Sequence, residues 1–324
     1  MTRTRSLAAS LLSLTAAAML ALVGAGTANA VPAASGDKTA PVVASAKVDS
    51  TGAAEYWTAD RMRAAIPGDA LAGAAPGRVA TSPDTVAKGK NTKVKPSTAS
   101  KTNSSSPKFA REAATVDNIG KVFFTMGGAN YVCSGNAVTS ANGSTVATAG
   151  HCVNSGPGAF AKNFIFVPAY ENGAAPYGRW TAKSLHTTPQ WQQKGDIAFD
   201  TGFAVMNPNA DGESLTDVVG GSGVEFNSDR GVQYTSYGYP ASAPYNGETL
   251  WSCKGKAKDD TTHPEFNTQG IPCTMTGGSS GGPWFLSSGL QNSINSYGYN
   301  SANVMYGPYW GQVIEDTYTL AQAA

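Results

Sequence analysis

The sequence predicts an all-β body behind a separate leader, and three observations carry this. From about residue 115 short apolar runs alternate with turn residues, as at Ala141-Asn142-Gly143 and Asn207-Pro208-Asn209. This is the pattern of strands joined by tight turns. Charged residues make up 14% of the chain and there are 37 glycines, a composition that suits turn-rich β structure. Within the body a helical pattern is confined to the tail, Gln312 to Ala323. Repeated strand–turn spacing argues for a sandwich or barrels. A body of about 210 residues is ample for a two-part core.

The elements follow in chain order. Arg3 and Arg5 precede an apolar run, Leu7 to Val23, and then the small-x-small site Ala28-Asn29-Ala30. Residues 1–30 therefore read as a secretory signal peptide, and the protein as secreted rather than membrane-anchored. Residues 31–110 hold no Cys and few aromatics, and read as a mostly disordered pro-segment. Within them Tyr56–Pro67 reads as a short helix, with Thr58 as N-cap and Pro67 as stop. Ala87 to Lys108 carries Lys88, Lys90, Lys93, Lys95, Lys101 and Lys108 among Ser, Thr and Asn. That reads as a mobile linker open to proteolysis.

Residues 1–110 hold 13 Lys/Arg against 6 Asp/Glu, and residues 111–324 hold 10 against 16. A basic leader thus faces an acidic body, as fits a pro-segment held on its own domain and able to inhibit it. Nucleic-acid binding is not expected, because no aromatics are interleaved with the lysines.

Strands are expected at Lys121–Met126, Asn136–Thr139, Ser144–Ala149, Phe164–Val167, Gly178–Leu185 and Thr201–Asn207. A second set is Val232–Tyr237, Thr249–Lys254, Pro283–Ser287, Ser293–Tyr297 and Val304–Tyr306. The four cysteines, Cys133, Cys152, Cys253 and Cys273, imply disulfides behind a signal peptide, with three connectivities open. Sequential pairing would close short loops. No C-x-x-C pair is present, so no metal site is expected.

Three side chains stand out chemically. Ser280 sits between glycine pairs in Gly277-Gly278-Ser279-Ser280-Gly281-Gly282, where a tight turn brings backbone N–H groups close to a ligand. His151 ends a strand in Thr148-Ala149-Gly150-His151-Cys152, placed as a general base should be. A carboxylate to orient it has two candidates, Asp196 and Asp200. Asp200 stands at the mouth of the apolar run Phe203–Met206, whereas Asp196 precedes a shorter run. Either could equally cap a turn.

Thr148-Ala149-Gly150-His151-Cys152 with Gly278-Ser279-Ser280-Gly281-Gly282-Pro283, in the order His, Asp, Ser, resembles the chymotrypsin-like (trypsin-like) serine peptidases. Gly238-Tyr239-Pro240 and the overall spacing look like the bacterial secreted branch related to glutamyl endopeptidases. The resemblance covers roughly residues 115–324 and implies two six-stranded antiparallel β-barrels followed by a C-terminal helix. It implies Ser280 as nucleophile, His151 as base and then acid, and Asp200 rather than Asp196 as the orienting carboxylate. It assigns the oxyanion hole to the N–H groups of Gly278 and Ser280. It also implies that Cys133–Cys152 staples the histidine loop and Cys253–Cys273 the nucleophile side. Substrates would be peptides or proteins, with no cofactor, and the molecule a monomer.

Two departures bear on specificity and activation. Thr274 stands where trypsins carry an aspartate, and no histidine occurs in Ile294-Asn295-Ser296-Tyr297-Gly298, where glutamyl endopeptidases use one. Neither cleavage preference is implied. Thr274, Ser296, Tyr297 and Gly298 are expected to line the pocket. Ser279 replaces the aspartate that in trypsins pairs with a freed N-terminus, so activation should proceed by leader removal without that switch. The alternatives are a catalytically silent binding protein on the same barrels and an esterase using the same triad.

Overall fold

The computed structural model describes residues 44–74, 88–97, 111–299 and 303–324. The signal peptide expected over residues 1–30 lies outside the described residues. Among these no helix is long and apolar enough to cross a membrane.

The first half of the body closes on itself. Ile119–Met126 pairs with Ala129–Val138, which pairs with Thr145–Thr148, which pairs with Gly202–Met206. Gly202–Met206 then pairs with Trp180–Thr187, and Lys162–Pro168 links that strand back to Ile119–Met126. All six pairings are antiparallel, so no edge remains between the first strand and the last.

The second half closes less obviously, because two of its segments pass between sheets. Gln233–Gly238 pairs with Trp251–Lys256, which runs on through Ala257 into Lys258–Asp259 and there meets Gln269–Pro272. Gln269–Pro272 pairs with Val304–Gly307, and that strand pairs with Tyr297–Gly298. Tyr297–Gly298 continues Gln291–Ile294, which reaches Gln233–Gly238 again through Pro283–Leu286. Six segments thus make a second ring, bent at Ala257 and at Asn295–Ser296.

Alternating apolar residues fill both rings. The C-terminal helix Gln312–Gln322 turns Ile314, Tyr318 and Ala321 inward. There Tyr318 meets Phe203 at 5.7 Å between ring centroids, and Phe226 stacks on Trp310 at 5.5 Å. The expected strands overlap these elements, most with ends one or two residues off, as Gly178–Leu185 against Trp180–Thr187 and Ser144–Ala149 against Thr145–Thr148. Ala129–Val138 begins seven residues before the expected Asn136, and Gln269–Pro272 was not anticipated at all. Gly270 and Pro272 disguise the latter as a turn. In the fold, Gly270 is required because the side chains of Val304 and Tyr306 fill the space of a Cβ.

The leader departs from the expected disorder over its described stretches. Ala44–Lys47 adds to Ser184–Thr187 as an antiparallel strand. Trp57 is wholly buried, packs on Phe123 and donates from Nε1 to the Asn163 carbonyl at 2.6 Å. Thr58 caps Ala59–Arg63 as expected, but Ile66–Pro67 leaves the helix to lie parallel to Tyr131–Val132.

The linker reading of Ala87–Lys108 is likewise corrected over residues 88–97, where Thr92–Val94 pairs with Val224–Phe226. Composition misses this because an edge strand is held by backbone groups, whatever its side chains. Charge does contribute: Lys93 lies 3.5 Å from Glu225, and Lys88 reaches Asp229.

Candidate active site

His151 and Asp200 are brought together by the first barrel. Thr145–Thr148 ends in the one-turn helix Gly150–Val153, and Cys152 in that turn is bonded to Cys133. Asp200 closes the short 3-10 helix Ile197–Phe199 immediately before Gly202–Met206, the strand paired with Thr145–Thr148. Strand pairing therefore sets the two loops side by side.

Asp200 Oδ1 accepts the main-chain N–H of His151 at 2.8 Å, and Oδ2 lies 2.8 Å from His151 Nδ1. Ser296 Oγ donates to the same Oδ2 at 2.6 Å. Both side chains are fully buried. Gly150 allows this approach, since a Cβ there would lie 2.8 Å from Asp200 Oδ1 and 2.9 Å from the Trp191 ring. His151 Nε2 is buried and unpartnered among the described residues.

Asp196 occupies a different place. Its Oδ1 caps the 3-10 helix by accepting from the Ala198 N–H at 3.1 Å, and Oδ2 is buried without a partner among the described residues. Burial pushes its carboxyl up to about 6, against the lowering effects of the Ala198 bond and of Lys194.

The Ser280 turn belongs to the second barrel and ends at the strand Pro283–Leu286. Gly278 has φ +95°, a conformation that disfavours any side chain. Ser280 opens on a cleft of about 390 Å³. Thr274, Ser296, Tyr297 and Gly298, the four expected pocket residues, all line it. Ser296 therefore serves two places at once, the cleft wall and Asp200. Cys253–Cys273 is bonded just before Thr274.

Behind the cleft the aromatic wall is anchored by a carboxylate that sequence reading passed over. Asp260 Oδ2 accepts from Tyr297 Oη at 2.8 Å and from Tyr299 Oη at 2.7 Å. Burial alone would raise the Asp260 carboxyl, but these bonds and the N–H groups of His263 and Thr262 outweigh it and hold it lowered. Asp69 of the leader also lines the cleft, its carboxylate packed against Gly277. No sequence signal marked Asp69 or Asp260, because each acts through partners remote in the chain.

Cys133, His151 and Cys152 are the one grouping of metal-ligand types among the described residues. The two sulfurs are bonded to each other and His151 Nδ1 is taken by Asp200, so this donor set does not suit a metal ion.

No protein-family model matches the chain. Among curated proteins it is similar to the extracellular metalloprotease of Bacillus subtilis (strain 168), 28% identical over 125 residues. That stretch is 38% of this chain and 37% of that protein, so the chain spans little more than a third of it.

Three solved structures are informative. Protease Anisep from Arthrobacter nicotinovorans is 62% identical, covering 66% of this chain and 100% of that one, with a TM-score of 0.65. The thermostable serine protease AL20 from an extremophilic microorganism is 49% identical, covering 64% and 98%, with a TM-score of 0.62. A Glu endopeptidase shares the fold at 16% identity, covering 66% and 97%, with a TM-score of 0.53. Two closed six-stranded barrels and near-complete coverage of two proteases at such identity lead to one assignment: the chain belongs to the chymotrypsin-like serine peptidases.

Proposed function

We propose that the protein is a secreted serine endopeptidase, made as a proprotein, that cleaves peptide bonds through an acyl-enzyme on Ser280. The observation that carries this is the double contact of Asp200 with His151, which leaves Nε2 as the one ring nitrogen without a protein partner. A base needs that nitrogen free. Nε2 makes no bond to Ser280 Oγ here, and such bonds commonly tighten only once substrate is bound.

Ser280 Oγ attacks the scissile carbonyl carbon while His151 Nε2 takes its proton. The carbonyl oxygen becomes an oxyanion facing the N–H groups of Gly278 and Ser280. The C–N bond then breaks, and His151 returns the proton to the leaving amine. Water repeats the sequence on the acyl-enzyme and frees the acid. Asp200 keeps the proton on Nδ1 and stabilises the imidazolium.

The secreted state is supported by Arg3, Arg5 and the apolar run behind them, and by two disulfides. The proprotein reading is supported by lengths: residues 111–324 are 214 of 324, about the share matched by protease Anisep over its whole length.

It is also supported by how the leader lies. A substrate with its acyl side chain in the cleft and its leaving amine at His151 runs from the cleft toward the Cys133–Cys152 loop. Residues 66–69 run the other way. Ile66 and Pro67 pair parallel with Tyr131 and Val132, and Gly68 N donates to the Val132 carbonyl at 2.8 Å beside Cys133 Sγ. Asp69 then enters the cleft. A chain threaded backwards fills the site without offering a bond for attack.

Ser280→Ala tests the reading. It should abolish peptide hydrolysis and labelling by a serine-directed phosphonate, and labelling that survives the change would remove Ser280 from its role.

A further inference from the structure

The turn that carries Gly278 and Ser280 is held by two buried polar side chains outside the triad, Ser134 and Asn295. Ser134 Oγ donates to the Gly278 carbonyl at 2.9 Å and accepts the Tyr239 N–H at 2.9 Å. Asn295 Nδ2 donates to the Ser279 carbonyl at 3.0 Å and to the Tyr237 carbonyl at 2.9 Å. Its Oδ1 accepts from Ser236 Oγ at 2.6 Å and from Trp284 Nε1 at 2.7 Å. Both amide protons and both oxygen lone pairs of Asn295 are used, so its orientation is fixed.

These bonds aim the two N–H groups that face an oxyanion. In a trans peptide the N–H points opposite to the preceding C=O. Asn295 and the Gly282 N–H hold the Ser279 carbonyl, each at 3.0 Å, so the Ser280 N–H faces away from them. The Gly277 carbonyl accepts from Ala241 N at 2.6 Å and Ser242 N at 3.2 Å, which directs the Gly278 N–H away from that loop. Ser134 joins that loop, at Tyr239, to the turn itself, at Gly278. The N–H groups of Gly278 and Ser280 donate to no protein acceptor among the described residues.

We propose that Ser134 and Asn295 are positioning residues that preset the oxyanion-hole donors with neutral hydrogen bonds, an inference that rests on the peptidase reading above. Ser279 itself is neutral and bonds within the turn, donating from Oγ to the Thr276 carbonyl at 2.8 Å. No ion pair with a new N-terminus is needed to order this turn. It is already formed while the leader is in place, so the leader inhibits by occupying the cleft rather than by leaving the turn unmade.

The test compares leader-free wild type with Ser134→Ala and Asn295→Asp. The measurements are kcat and KM on one peptide substrate, the Ki of a peptide boronic acid that forms a tetrahedral adduct, and the Kd of the cleaved product peptide. Deleting an oxyanion donor outright costs on the order of 100- to 1,000-fold in kcat, so loosening one should cost roughly 10- to 100-fold. KM and product Kd should stay within about twofold, and the boronate Ki should weaken in parallel with kcat. A Ser134→Ala enzyme with wild-type kcat, or one that loses KM and product binding instead, overturns the proposal. Asn295→Asp checks the second clamp, and if it fails to fold Ser134→Ala decides alone. Failure of the peptidase reading looks different, since wild type itself would then neither cleave the peptide nor accept the phosphonate.

Discussion

Asp200 grips His151 at two points, through Oδ1 on the main-chain N–H and Oδ2 opposite Nδ1, both at 2.8 Å. A carboxylate bound to backbone and ring together fixes where the imidazole sits as well as which nitrogen carries the proton. Asp200→Asn should keep the fold yet lower kcat by roughly 10,000-fold through the wrong tautomer. Asp196→Asn should leave kcat within about threefold, because Asp196 serves only as a helix cap. Steady-state kinetics of both variants decide, and a large loss confined to Asp196→Asn would reverse the assignment.

Asp196 should register in stability instead. Its carboxyl is pushed up to about 6 by burial, above the ordinary aspartate value near 4. Between those values the folded chain binds more protons than the unfolded one, so stability falls as pH rises through the window. Asp196→Asn removes that slope. Denaturant midpoints of both proteins from pH 4 to pH 7 should converge at the acid end, with the variant ahead at neutral pH. Parallel curves would contradict the sign.

Trp57 is the anchor of the leader, fully buried against Phe123 and hydrogen-bonded to Asn163. Trp57→Ala removes packing worth about 3–5 kcal/mol. Opening of the docked leader should therefore rise on the order of 100-fold or more. In the uncut chain this appears as faster phosphonate labelling of Ser280 and faster cleavage in the leader. N-terminal sequencing of the processed protein should begin near residues 105–118. Labelling of uncut wild type at the rate of the cut enzyme would show that residues 66–69 do not block the cleft.

Thr274 lines the cleft, and Asp69 of the leader is the one carboxylate among its described lining residues, so leader removal would leave the pocket wall neutral. Profiling the processed enzyme on a diverse peptide library should show no preference for Lys or Arg before the cleaved bond. A strong basic preference would place an unrecognised carboxylate in the pocket.

The parts legible in the sequence were those encoded locally. His151 and Ser280 lie in short motifs, and the alternating runs mark most barrel strands. What stayed hidden depends on partners far away in the chain. Thr92–Val94 is a strand only because Val224–Phe226 offers it an edge. Gln269–Pro272 carries a Gly and a Pro that its neighbours demand. Asn295 lay within a recognised pocket segment, yet nothing local showed that its amide reaches Ser279 and Tyr237. Ser296 was assigned to the cleft from its position, while its bond to Asp200 spans 96 residues.

The strands Ala44–Lys47 and Thr92–Val94 cover two borders, one along Ser184–Thr187 of the first barrel and one along Val224–Phe226, the short strand beside Gln291 of the second. If the leader is removed as proposed, both borders would be stripped as well, leaving rows of amide and carbonyl groups facing solvent. A liberated enzyme would then carry two adhesive seams that the full chain keeps sealed, places where an extended polypeptide could add as an extra strand. Amide hydrogen exchange at residues 184–187 and 224–226 should accelerate on processing, and unchanged protection there would mean that the severed leader stays bound.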